Sequence, residues 1–108
     1  MDYQQIVNSI SQNAGVSGAA IVNSNGQLLH SNIPDAAAEL PSVSSQIFTN
    51  IGVQIKRMQR GTVNRLVLET EDGITLLSGL ARGELLVVYA SVVEGFNLAN
   101  LLEAASRF

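Results

Sequence analysis

Apolar positions along the chain follow two periods, one near 3.6 and one near 2, and the switches between them mark the elements. Tyr3, Ile6, Val7 and Ile10 recur at the spacing of one helical face, with Asp2 placed to cap the first turn and Gly15 to stop the helix. Two extended runs follow in VSGAAIVNSNGQLLHSN, on either side of Asn25-Gly26, a dipeptide that fits the tight turn of a hairpin. The first run, Val16–Asn23, is built on Gly18, Ala19 and Ala20. A strand so thin lets another element pack close on it, which places it inside the sheet beneath helices. Pro34 breaks the second run.

The stretch DAAAELPSVSSQIFTNIGVQIKRMQRG, from Asp35 to Gly61, reads as a helix of roughly 20 residues ended by Gly61. Pro41 is disfavoured in a helix interior, so the helix proper is expected to start close to Leu40 after a loose turn. Leu40, Val43, Ser44, Ile47, Phe48, Ile51, Ile55 and Met58 form a broad stripe, expected to face the sheet. Ser42, Ser45, Thr49, Gly52, Val53 and Lys56 gather opposite. That side carries less charge than an ordinary solvated face, and Gly52 lets a second backbone approach closely. The expectation is that it meets the same helix of another subunit, as a two-fold dimer would arrange.

The remainder reads as three strands and a helix. TVNRLVLET, Thr62–Thr70, is strand-like, EDG turns the chain, ITLLSGLA is the next strand and RGE the next turn. LLVVYASVV, Leu85–Val93, is apolar almost throughout, which suits a strand covered on both faces. Leu98, Leu101, Leu102 and Ala105 then make one apolar helix face. Strands joined by tight turns are antiparallel. The more polar strands, carrying Gln27 and His30, and Asn64, Arg65 and Glu69, suit the edges. These constraints predict an α/β (α+β) sandwich with topology α-β-β-α-β-β-β-α and a five-stranded antiparallel sheet in the order 2-1-5-4-3. The first and third helices should cover one face and the second helix the other. On the edge strand Thr62–Thr70, Leu66, Val67 and Leu68 do little to blunt pairing, so this edge is expected to be used.

Composition sharpens the expectation of a partner. A length of 108 residues fits one domain, and 46% apolar residues supply its core, but only 14% are charged, so some surface should be covered by something else. A net charge of −3 gives no global attraction to nucleic acid or anionic lipid. With no cysteine, disulfides and thiol chemistry are excluded. The start, MDYQQIVNSI, has neither the basic residues nor the apolar run of a signal peptide, and no stretch approaches a membrane span, so a cytoplasmic protein is the simplest reading.

Candidate chemistry is sparse. Lys56, Arg57, Arg60 and Arg65 cluster at the predicted end of the long helix, where cations complement the helix dipole. Their alternative use is as a rim for an acidic partner; without interleaved aromatics they do not indicate nucleic acid. His30 is the single histidine and has no companion to share a metal. Glu69, Glu71 and Asp72 fall at a hairpin tip, in water rather than in the enclosure that separates the pKa values of a catalytic pair. SGLARGE lacks the Lys-Ser/Thr of a phosphate loop and joins two strands, and Ser17 in GVSGA has no nucleophile-elbow pattern. No catalytic, cofactor-binding or metal-binding residue is assigned.

The order of elements resembles the roadblock/LC7 family across nearly the whole chain. The most family-like piece is RGTVNRLVLETEDGITLLSGLARGELLVVYASVVEGFNLANLLEAASRF, and the opening GVSGAAIVNSNGQLLHSN is similar to the family's glycine, small residue, apolar run and NG or DG turn. The resemblance implies one roadblock/LC7-like domain over 1–108 that pairs, as a homodimer or with a related roadblock protein, through the second helix and the edge strand after it. Two five-stranded sheets would then join into one. Ser45, Thr49, Gly52, Val53, Lys56, Leu66, Val67 and Leu68 are the expected interface. The resemblance further implies a non-enzymatic regulator or scaffold of a Ras-like small GTPase, with Lys56, Arg57 and Arg60 at the rim of the contact, and no residue set for catalysis. Two other readings stand beside it: a structural adaptor of dynein-light-chain type without effect on GTP hydrolysis, and a small-molecule sensor, for which Val16–Asn23 is the one place to leave room for a cavity.

Overall fold

The run LLVVYA has no polar face to show to water, and the fold gives it none. The structure, a computed structural model, describes residues 2–108. Its elements are α1 (Tyr3–Ser11), β1 (Val16–Val22), β2 (Leu28–Ser31), α2 (Leu40–Arg57), β3 (Arg65–Thr70), β4 (Gly73–Gly79), β5 (Leu85–Ala90) and α3 (Leu98–Ser106), with a single 3-10 turn at Ala81–Gly83. The five strands form one antiparallel sheet in the order β2-β1-β5-β4-β3. LLVVYA is the middle strand, and the expected topology and strand order hold.

Side chains alternate across the sheet, so each strand feeds two cores. On one face Ile6, Val7 and Ile10 of α1 and Leu101 and Ala105 of α3 pack on Ala19, Ile21, Leu76, Leu86 and Val88. On the other, Leu40 and Phe48 of α2 meet Ala20, Val22, Leu77, Leu85 and Val87. The Asp2 carboxylate accepts from the Gln4 N–H and caps α1, and Asn97 caps α3 by accepting from the Asn100 N–H. Pro41 lies in the first turn of α2, where its missing N–H has no intrahelical acceptor to lose.

The thin strand is explained by what lies on it. A Cβ on Gly18 would stand 2.9 Å from the Ile33 Cα, so the missing side chain is replaced by the returning chain after β2. Asn32 fixes that return: its Oδ1 accepts from the Ala19 N–H at 2.8 Å and its Nδ2 donates to Ser11 Oγ on α1. The space expected here for a small-molecule cavity is therefore filled by Ile33. Strand ends also differ from expectation. β3 begins at Arg65 rather than Thr62, and β5 stops at Ala90, leaving Val92 and Val93 exposed in the connection to α3. The long helix ends at Arg57, before Gly61, because Gln59 and Gly61 turn to positive φ.

The largest difference concerns α2. Leu40 and Ser44 are buried and Phe48 and Ile55 half-buried, but Val43, Ile47, Ile51 and Met58, expected against the sheet, are exposed. Ser45 and Gly52, expected on the outer side, are half-buried instead. The helix is rotated so that Pro41, Ser44, Ser45, Phe48, Gly52 and Ile55 look inward, and the apolar stripe straddles the boundary between core and solvent. Magnitudes make the contrast plain. Each fully buried aliphatic side chain contributes about 1.5–3 kcal/mol. The nine residues of α1 bury three such side chains, whereas the 18 of α2 bury Leu40 alone.

Candidate functional site

From Thr49 to Arg57 no residue of α2 is buried. Ile51 and Val53 are 37% and 51% exposed, and Met58, just past the helix, 66%. An amphipathic surface helix turns its apolar stripe to its own core. This one carries apolar side chains over two flanks that the subunit does not cover. Beside it lies β3, the end strand of the sheet, hydrogen-bonded to β4 on one side only. Leu66 and Leu68 are half-buried on the α2 side of β3, while Val67, 41% exposed, lies on the α1–α3 side.

Between α2 and the sheet runs a groove of about 340 Å³ with Val43 and Ile47 on its helix wall, Leu68 and Thr70 on its strand wall and Leu77 and Tyr89 beneath. A cleft of similar size on the other flank is more polar, bordered by Ser45, Thr49, Asn64 and Glu84 over Phe48. The expected interface residues therefore divide. Thr49, Val53, Lys56 and Val67 are exposed and Ser45, Gly52, Leu66 and Leu68 half-buried. Leu68 lines the apolar groove, Ser45 and Thr49 the more polar cleft, and Val67 stands on the opposite face of the sheet. Val43 and Ile47 wall the apolar groove and Ile51 is exposed further along the helix, although periodicity assigns all three to the core. Apart from the helix's own neighbouring backbone, no atom lies within 4 Å of the position a Gly52 Cβ would take, so no other part of the subunit requires a glycine there.

The basic residues Lys56, Arg57, Arg60 and Arg65 are all exposed around the end of α2 and the start of β3. The Arg57 guanidinium reaches back to donate to Gln54 Oε1 at 3.2 Å. Glu69, Glu71 and Asp72 are exposed at the far end of β3. His30 is half-buried on β2, and among the described residues no group of three potential metal ligands comes together. The Ser17 hydroxyl donates to the Tyr89 carbonyl. The Tyr3 hydroxyl of α1 donates to the Glu84 carboxylate, tying α1 to the loop before β5. That bond pushes the Tyr3 pKa up, with desolvation and the Glu84 charge adding to it. None of the described helices is long and apolar enough to cross a membrane.

The arrangement offers an open strand edge, an apolar helix face and an adjoining groove, which is equipment for binding a polypeptide. Among solved structures, a Roadblock/LC7 domain from Streptomyces avermitilis superposes with a TM-score of 0.84 at 18% identity, over 99% of this chain and 91% of that one. Myxococcus xanthus MglB is similar with a TM-score of 0.78 at 14% identity, over 99% and 90%. An MglB in a tetrameric arrangement matches with a TM-score of 0.80 at 14% identity, over 97% and 80%. At these identities the likeness is one of fold. No curated protein matches the chain by sequence. The family model for the Roadblock/LC7 domain matches residues 2–90, and the chain belongs to the Roadblock/LC7 family.

Proposed function

We propose that this chain is a non-enzymatic module that pairs through α2 and β3, with itself or a related roadblock chain, and in that form regulates or scaffolds a Ras-like small GTPase. The observation that carries the pairing is the apolar surface of α2 that the subunit leaves exposed, Val43, Ile47, Ile51 and Val53, on a helix whose Val43 and Ile47 wall a groove shared with the end strand β3. A contiguous apolar surface of this kind marks an interaction site, and an open edge either pairs or is blunted. The tetrameric arrangement of an MglB to which the chain is similar supports self-association. Membership of the family supports a GTPase as the partner, and Lys56, Arg57 and Arg60 are the rim proposed for it. A regulator without a catalytic set of its own acts by holding the partner's switch segments and attacking water in place.

Two measurements test this. Sedimentation across a concentration series should show a dimer, and a monomer at high micromolar concentration ends the pairing proposal. A pull-down with GTPases loaded with GDP or a GTP analogue, followed by single-turnover hydrolysis, tests the rest. Binding with altered hydrolysis supports regulation, binding without it supports the adaptor reading, and no binding in either state removes the GTPase from the account.

A further inference from the structure

The open edge of β3 has a sequence that complements itself. The Gly79 N–H donates to the Asn64 carbonyl at 2.9 Å, and β3 and β4 pair without a register shift from Arg65↔Ser78 to Thr70↔Gly73. In an antiparallel ladder, hydrogen-bonded and non-bonded pairs alternate. The backbone groups of Leu66, Leu68 and Thr70 therefore turn toward β4, and those of Arg65, Val67 and Glu69 point to the free edge. The side chains of these last three share one face, since they stand opposite Ser78, Leu76 and Ile74. Arg65 and Glu69 are both exposed, and each faces an uncharged residue on β4. Four residues apart along a strand, they are about 13 Å from each other, too far to pair within one chain. Among the described residues the ion pair within 4 Å is Arg107–Glu103, elsewhere in the molecule.

We infer that β3 pairs with β3 of a second copy in one register, about a two-fold axis at Val67, so that Arg65 faces the partner's Glu69 and Glu69 faces the partner's Arg65. This rests on the reading that the chain pairs through α2 and β3, and it adds the register and the identity of the partner. All three outward-pointing residues then hydrogen-bond across the axis, and on the other face Leu66 meets the partner's Leu68. Isologous contact requires residue i to face j and j to face i, which a strand with opposite charges at equal distances from its centre satisfies. Neighbouring registers are worse. A shift of one residue puts the side chains on opposite faces. Moving the axis to Arg65 or to Glu69 sets like charge against like, which is unfavourable across strands. Moving it to Leu66 sets Arg65 against the partner's Val67, and moving it to Leu68 sets Val67 against the partner's Glu69. The charges thus act as a code for self-pairing, discriminating against a related chain that lacks them.

The test is a charge exchange followed by sedimentation and by native mass spectrometry of mixtures, at low salt, with thermal melts to check each fold. Arg65→Glu alone and Glu69→Arg alone each bring like charges together on both sides of the axis and should weaken self-association about tenfold. The double variant Arg65→Glu with Glu69→Arg should self-associate as wild type does and be excluded from dimers with wild type. Mixing the two single variants should recover a heterodimer. The differences should shrink in high salt, where exposed charges are screened. A wild-type dimer whose affinity neither single substitution changes overturns the register while leaving pairing through α2 and β3 intact, and so does a double variant that pairs freely with wild type. A wild-type chain that stays monomeric overturns both.

Discussion

Gly73 and Gly52 both sit inside regular elements, and their surroundings make opposite demands. Gly73 opens β4 at φ +126, and a Cβ there would lie 2.4 Å from the Ala90 carbonyl oxygen, a backbone atom that cannot swing away. Gly73→Ala should destabilise the fold by about 2 kcal/mol or more, read from urea unfolding, because it adds backbone strain to a collision. Gly52 has ordinary helical geometry and, apart from the helix's own neighbouring backbone, empty space around it. Gly52→Ala should stabilise the isolated subunit by about 0.5–1 kcal/mol, measured in dilute solution where association is absent. If the same substitution weakens association, the glycine serves the contact between copies rather than the fold. Tyr3 supplies a pH-dependent case. Its hydroxyl donates to the Glu84 carboxylate, so the protonated phenol is the form that is held, and its pKa is raised above the ordinary 10.0. A group with a raised folded-state pKa contributes stability below the unfolded value and loses it as pH rises through the folded value. The stability difference between wild type and Tyr3→Phe should be present near neutral pH and close as pH climbs beyond 10.0, with the phenolate absorbance of the wild type gaining a late component that the variant lacks.

At the scale of elements, strand order could be read in the sequence because tight turns force antiparallel neighbours and polar strands seek edges. Asn25-Gly26 made the first hairpin visible, and the run from Leu85 placed the middle strand. The phase of α2 could not be read, and for a physical reason. Periodicity orders residues around an axis without saying where the sheet lies, and an apolar side chain kept for another protein is indistinguishable in sequence from one kept for the core. The stripe from Leu40 to Met58 spans both arcs, so periodicity groups Val43, Ile47 and Ile51 with Leu40 although they are exposed. The edge of β3 was legible in Leu66–Leu68; the opposition of Arg65 and Glu69 about Val67 needed the register with β4. The rotated phase makes a direct prediction. Leu40→Ala should cost about 2–4 kcal/mol of subunit stability, as expected of a buried leucine. Ile51→Asp should cost no more than about 0.5 kcal/mol in dilute solution, as expected of a surface position, yet abolish association. Equal losses of stability from the two would place Ile51 in the core and return the helix to the phase that its periodicity implied.

For the whole molecule, a low fraction of charge goes with an exposed apolar surface on α2, which a second copy is proposed to cover. If two copies close over that surface, folding and association are linked, and apparent stability depends on concentration by mass action. Each tenfold rise in concentration then adds about 1.4 kcal/mol per dimer. For a folding unit of two such chains that corresponds to a melting temperature higher by about 2–4 °C. Melting curves over a hundredfold range should show this slope for wild type, and Ile51→Asp should melt at one temperature throughout, equal to that of dilute wild type. The slope should survive high salt, because burial of Val43, Ile47, Ile51 and Val53 is not screened, whereas the preference of wild type for its own β3 over the charge-exchanged one should fade. A slope that disappears with salt would assign the association to charge instead, and a wild-type melting temperature that ignores concentration would mean that the apolar surface is kept for a different protein.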